Sequence, residues 1–164
     1  MKATVLINGS ARADGNCQEL IRLMMEHERM PLVHLYEYNI GHYDYEHLNQ
    51  KDDFLPLMKD LITQYDQFLL LTPVYWYAMS GHLKVFLDRW TDLLTNEKEW
   101  GRKLRGKEMA VVTSSHGNHL ASQFWLPFEY SARYLGMSFK GGLHTEPETI
   151  NLPQLASFLK DIQS

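Results

Sequence analysis

Three short polar or aromatic loops, each following an apolar run, hold most of the chain's candidate chemistry. The first reads Asn8-Gly9-Ser10-Ala11-Arg12-Ala13-Asp14-Gly15-Asn16-Cys17 and leads into an amphipathic stretch. Unpaired N–H groups and the macrodipole at a helix N-terminus favour an anion. A terminal phosphate suits this setting: Ser10 and Asn16 can donate, Arg12 supplies charge, and Gly9 and Gly15 let the backbone approach closely. An ordinary turn with a helix cap uses the same residue types. The loop has neither Gly-x-Gly-x-x-Gly nor the Gly-Lys-Ser/Thr of a Walker loop, which takes support from NAD bound in the Rossmann manner and from ATP hydrolysis.

The second loop, Thr72 to Gly81, places the consecutive aromatics Tyr75, Trp76 and Tyr77 after a buried run. A planar ligand accounts for that placement, although covering the core or a subunit partner is the commoner use of aromatics. The third, Thr113-Ser114-Ser115-His116-Gly117-Asn118, offers hydroxyl and backbone donors that can read polar ring edges. His116 and His119 share no metal-ligand spacing with a carboxylate or cysteine, so no metal is expected. Ser114 and Ser115 lack the Gly-x-Ser-x-Gly elbow of an α/β-hydrolase nucleophile.

Elements that must position these loops are readable from hydrophobic period. Apolar runs at Ala3–Ile7, Leu32–Tyr36, Gln67–Leu71, Met109–Val112 and Ser138–Leu143 predict five strands, the third ended by Pro73. Between them lie helical faces. Cys17, Leu20, Ile21 and Met24 mark one, with Asn16 as its cap; Phe54, Met58, Leu61 and Ile62 mark another, with Pro56 in its first turn. A third, capped by Ser80, runs through Leu83, Phe86, Leu87, Trp90 and Leu94, and the charged stretch Asn96–Lys107 is expected as a solvated connection. A fourth reaches Leu135 with Pro127 near its start, and Leu152, Leu155, Phe158, Leu159 and Ile162 close the chain. Alternating strands and helices predict an α/β fold: a five-stranded parallel sheet, order 2-1-3-4-5, with helices on both faces. Ligands bind such sheets at the carboxyl ends of the strands, where the order reverses.

Size and charge narrow the classes. A length of 164 residues fits one domain spanning 1–164. Sixteen Lys and Arg against 20 Asp and Glu give a net charge of -4 with no basic stripe, so nucleic acid is not expected as a partner. No apolar run approaches the roughly 18 to 20 residues that span a bilayer, no secretory leader opens the chain, and the lone Cys17 cannot form an intrachain disulfide; the cytoplasm is the expected compartment.

Taken together, the loops resemble those of the flavodoxin-like NAD(P)H-dependent FMN reductases and quinone reductases. The closest likeness is Thr72-Pro73-Val74-Tyr75-Trp76 followed by Ser80-Gly81-His82-Leu83-Lys84-Val85-Phe86-Leu87-Asp88-Arg89-Trp90. Gly9-Ser10-Ala11-Arg12 with Gly15-Asn16-Cys17 is similar to the family's phosphate loop, and Lys107 and Tyr134-Leu135-Gly136-Met137 also look familial. The resemblance implies that Ser10, Arg12, Gly15, Asn16 and Cys17 hold the phosphate of FMN, Cys17 standing where Thr is common. It implies that Pro73, Val74, Tyr75 and Trp76 line the isoalloxazine, with Ser114, Ser115, His116 and Gly117 at its other side or edge.

The implied reaction passes hydride from NADPH or NADH to the flavin and then two electrons to a small acceptor, a quinone, flavin, azo or nitro compound, without a side-chain nucleophile. A flavodoxin-type electron carrier is the alternative on the same fold. Some relatives carry a cysteine cluster after strand 2; Glu37–Asp52 has none, so no iron–sulfur cluster is expected. Tyr36, Tyr38, Tyr43 and Tyr45 with His42 and His47 form an acceptor pocket, an aromatic surface or a dimer contact. Phe124-Trp125-Leu126-Pro127-Phe128-Glu129-Tyr130 is either core or a contact in a homodimer or homotetramer.

Overall fold

The computed structural model describes residues 2–117 and 120–164. Apolar and β-branched residues at Thr4–Asn8 form β1, buried throughout because helices cover both faces of the sheet. The chain continues as α1 (Asn16–His27), β2 (Leu32–His34), α2 (Phe54–Gln64), β3 (Gln67–Tyr75), β4 (Ala78–Met79) and α3 (Gly81–Asp88). Then follow α4 (Asp92–Thr95), α5 (Lys98–Arg102), β5 (Glu108–Ser114), α6 (Leu126–Tyr134), β6 (Ser138–Thr145) and α7 (Leu152–Gln163). The parallel strands run in the order β2-β1-β3-β5-β6, the expected five-strand arrangement; β4 is an addition, two residues paired antiparallel to the end of β3.

Alternate strand residues feed two cores. Val5, Ile7, Phe68, Leu70, Met109 and Val111 pack against α2, α3 and α6, whereas Leu6, Leu69, Leu71, Ala110 and Val112 pack against α1 and α7. This period of two is what pins the register, since a slip by one residue would exchange the two faces. Among the described residues no helix is long and apolar enough to cross a membrane.

Several boundaries differ from the sequence expectation for physical reasons. β3 runs through Pro73 to Tyr75. Asn8 is the last β1 residue in register with β3, opposite Leu71, and the Gly9 N–H donates to the Leu71 carbonyl at 2.8 Å. Backbone groups alternate in side along a strand, so Pro73 directs its missing donor toward the space β1 has left, where no ladder bond is lost. β2 stops at His34 and tightens into a 3₁₀ turn at Leu35–Glu37. The third helix ends at Asp88, and a 3₁₀ turn at Arg89–Thr91 carries the buried Arg89 between the carboxylates of Asp52 and Asp92 before α4 begins. The stretch Asn96–Lys107 contains α5, whose Trp100 packs on the core under the Lys103 ammonium, 3.8 Å from the ring centroid. Asn16 is the first helical residue rather than the cap; Gly15 occupies the cap position at φ 131°, and among the described residues no side chain caps α1.

Candidate functional site

The carboxyl ends of β1, β3 and β5 bring the three loops to one rim, and side chains lock them together. A row of threonines spans the strand ends: the Thr145 hydroxyl donates to the Thr113 carbonyl at 3.1 Å, and the Thr113 hydroxyl donates to the Thr72 carbonyl at 2.7 Å. Thr72 Oγ1 in turn accepts from the Ser80 N–H at 2.9 Å, and the Ser80 hydroxyl donates to the Gly9 carbonyl at 2.5 Å. Sequence reasoning found Ser80 as a cap, confirmed by its acceptance of the Leu83 N–H at 3.2 Å, and missed this tie to the first loop. Thr at equivalent ends of neighbouring strands is the signal that could have found the row.

In the first loop Asn8 Oδ1 accepts from the Ser10 N–H at 2.9 Å, and Ser10 Oγ accepts from the Arg12 N–H at 3.2 Å. Ser10 and Cys17 are buried beside one another, while Arg12, Gly15 and Asn16 face solvent. Burial pushes the Cys17 thiol up to about 11, against an opposing hydrogen bond with Ser10, so the thiol is neutral at pH 7. A Cβ on Gly15 would meet nothing within 4 Å, which leaves open space at an uncapped helix N-terminus. Gly9 has none: a Cβ there would lie 2.7 Å from Leu83 Cβ.

In the second loop β3 and β4 form a hairpin whose two turn residues, Trp76 and Tyr77, have φ of 50° and 62°. Positive φ at both central positions is the type I′ pattern that Asn-Gly ordinarily supplies, and aromatic residues hold it only at a cost. Tyr75, Trp76 and Tyr77 are exposed, Trp76 at 96%, so they do not cover the core. Pro73 and Val74 are half-buried beneath them.

In the third loop Ser114 is buried and its hydroxyl has no hydrogen-bond partner among the described residues. The Ser115 N–H donates to the Thr145 carbonyl at 3.3 Å, His116 lies 3.7 Å from Glu148, and the carbonyl of Gly117, at φ 81°, lies 3.3 Å from His144 Nε2. Asn118 and His119 lie outside the described residues.

Of the Tyr- and His-rich stretch, Tyr38 and His42 line a cavity of about 380 Å³ together with Leu35, Ile40, His82 and Val85. Tyr43, Tyr45 and His47 instead form an edge-to-face cluster away from it, with ring centroids 5.0 and 6.1 Å apart, and Tyr36 packs against His34. Of the segment 124–130, Phe124 and Phe128 are core, whereas Leu126 and Tyr130 are exposed.

The residues present suit FMN on three counts: an open helix N-terminus beside a buried hydroxyl and an arginine, solvent-facing aromatics, and an orphaned hydroxyl at the rim where a polar ring edge would lie.

Comparison with known proteins agrees. Residues 1–130 match the NADPH-dependent FMN reductase family. The chain is 30% identical over 151 residues to YwqN of Bacillus subtilis, named as an NAD(P)H-dependent FMN-containing oxidoreductase, covering 86% of this chain and 82% of that one. Among solved structures, a Trp repressor binding protein from Bacillus subtilis superposes with a TM-score of 0.75 at 24% identity, over 98% of this chain and 97% of that one. The general stress protein 14 of Treponema denticola, solved in complex with FMN, gives 0.66 at 16% identity, over 99% and 96%. These likenesses carry the flavodoxin-like fold, and the match over residues 1–130 together with the 30% identity to YwqN makes this chain a member of the NADPH-dependent FMN reductase family.

Proposed function

We propose that the protein is an FMN-dependent NAD(P)H oxidoreductase that delivers two electrons to a small organic acceptor, a quinone, flavin, azo or nitro compound. FMN, when bound, would supply the redox chemistry of hydride and electron transfer between nicotinamide and acceptor. The chain's own residues bind and orient. Ser10, Arg12 and the backbone N–H groups at Gly15, Asn16 and Cys17 hold the phosphate; Arg12 is free to swing onto it from solvent. Ser114 gives its hydroxyl to a polar ring edge, and the backbone N–H groups of Trp76, His116 and Gly117 would face negative charge on the ring. Tyr75 and Trp76 shield that ring from water.

The orphaned Ser114 hydroxyl carries this reading, because a buried donor without a partner costs about 1–3 kcal/mol unless a ligand satisfies it. The cavity beside Tyr38, His42 and His82 opens at the same rim and is assigned to the acceptor. A groove of about 390 Å³ between the Arg89–Thr91 turn and α6, flanked by exposed Leu94, Tyr130 and Tyr134, is assigned to a second copy of the chain in a homodimer or homotetramer. Sedimentation velocity on the wild type and on Tyr134→Glu tests that assignment. A cytoplasmic location would suit NAD(P)H use and a lone thiol, which stays reduced there.

The deciding experiment is an absorbance spectrum with and without added FMN, followed by anaerobic NADH or NADPH. Flavin bands that bleach are expected. Bands that bleach with dithionite but never with nicotinamide would leave a flavodoxin-type carrier, and no titratable flavin would remove the cofactor.

A further inference from the structure

A polar cavity adjoins the crevice at the free edge of β6. It has a volume of about 310 Å³, lies between that edge and the start of α7, and is lined by His144, Thr145, Glu146, Thr149, Asn151 and Gln154. β6 ends the sheet, so backbone groups on its outer side have no neighbouring strand. The cavity wall and the third rim loop form one structure: His144 Nε2 sits 3.3 Å from the Gly117 carbonyl, Ser115 bonds to Thr145 across β5 and β6, and His116 faces Glu148. His144 Nδ1 is buried with no partner among the described residues.

Besides Gly142 and Leu143, the lining is hydroxyl, amide, imidazole and one carboxylate, with no Lys or Arg among the described residues. A phosphate there would face Glu146 with no compensating cation. A vicinal diol instead finds acceptors and donors in reach, and a carboxylate accepting from a ribose hydroxyl is the general means by which acidic side chains select NAD over its 2′-phosphorylated form.

We infer that this cavity takes the adenosine ribose of the nicotinamide dinucleotide, with Glu146 accepting from its hydroxyls, so that the protein uses NADH in preference to NADPH. This inference rests on the reductase reading. Neighbouring strands lie about 4.8 Å apart, so a nicotinamide over the crevice at the ends of β1 and β3 is roughly 12–14 Å from the outer edge of β6, within the span of a dinucleotide. The 2′-phosphate of NADPH would set a second anion against Glu146, a repulsion worth about tenfold in affinity at contact distance even with the screening of bulk water.

The test titrates FMN-loaded, oxidised protein with ADP-ribose and with 2′-phospho-ADP-ribose by calorimetry; neither carries a nicotinamide, so binding is read without turnover. ADP-ribose is expected to bind about tenfold more tightly, and Glu146→Gln, on a solvent-accessible loop, narrows that ratio to about threefold or less with an unaltered flavin spectrum. Equal affinities, tighter 2′-phospho-ADP-ribose, no ADP-ribose binding, or a ratio that Glu146→Gln leaves in place each overturn the inference. Anaerobic reduction separates the two levels: bleaching faster with NADPH than NADH removes the NADH preference and keeps the reductase, whereas bleaching with neither removes the reductase itself.

Discussion

The Ser80 hydroxyl donates to the Gly9 carbonyl at 2.5 Å and, from the same oxygen, accepts the Leu83 N–H at 3.2 Å, so one buried side chain caps α3 and anchors the first rim loop. Gly9 meets it closely enough that a Cβ would press on Leu83. Ser80→Ala is therefore expected to cost about 2–4 kcal/mol: about 1 for the lost cap and about 1–3 for a buried carbonyl left unpaired. FMN affinity should fall with it, because the loop that carries Ser10 and Arg12 loses its anchor. Urea unfolding of the FMN-free protein and a flavin fluorescence titration read the two effects separately. A variant that loses stability but binds FMN as before would confine Ser80 to capping.

Trp76 holds φ of 50° while 96% exposed, a combination that stability alone does not favour. Asn adopts this backbone conformation readily, so Trp76→Asn is expected to leave thermal stability unchanged or raise it by about 1 kcal/mol. In the same variant the fluorescence of bound FMN should increase as the quenching indole is removed, and turnover should drop. Loss of stability with unaltered fluorescence would make Trp76 a structural residue.

A buried charge cluster fixes the long loop after β2. Arg89 donates through Nε to Asp92 at 2.8 Å, through Nη1 to the Gly41 carbonyl at 3.1 Å and to Asp52, and its guanidinium stacks 4.7 Å from the Phe54 ring centroid. Burial raises the Asp52 carboxyl, but hydrogen bonds from Arg89 and from the Gly41 and Phe54 N–H groups outweigh it and hold the group below its ordinary range. A depressed carboxyl pKa adds stability above the unfolded value, about 3.9, and that stability is lost as pH falls through the folded value. Arg89→Met leaves Asp52 and Asp92 buried without a cation and is expected to cost about 3–5 kcal/mol at pH 7. Its deficit relative to wild type should shrink toward pH 4, as the unpaired carboxylates take up protons. Urea midpoints at pH 7, 5 and 4 show this; a constant deficit would mean that packing alone is lost.

The sheet was readable because Val5–Ile7 and Phe68–Leu71 are apolar on consecutive positions, a pattern that only a strand covered on both faces demands. Its order followed from the crossover rule. The rim was partly readable: loop residue types marked Ser10, Trp76 and Ser114, but the row through Thr72, Thr113 and Thr145 depends on register between strands far apart in sequence. Arg89 read as one more residue of a continuous helix, since its burial arises from Asp52, 37 positions upstream. The cavity at Glu146 was invisible for the same reason, being built where a strand edge and a distant helix start meet.

Cys17 sits at the helix start where the family resemblance leads one to expect a hydroxyl, and its thiol touches Ser10. A thiol is a weak donor, so Cys17→Thr is expected to tighten FMN binding about fivefold, the worth of one net hydrogen bond. The same substitution changes alkaline behaviour. Burial raises the folded thiol to about 11, so the stability that its neutral form contributes is fully present below the unfolded value, about 8.5, and is lost as pH rises through the folded one. Wild type and Cys17→Thr should therefore keep a constant stability difference from pH 6 to 8.5, and wild type should lose ground to the variant from there to pH 10.5. Parallel urea titrations at those pH values measure it. Iodoacetamide labelling at pH 8 gives an independent check, since a buried neutral thiol reacts far more slowly than the same residue in the unfolded chain; rapid labelling of the folded protein would show that the first loop opens without ligand.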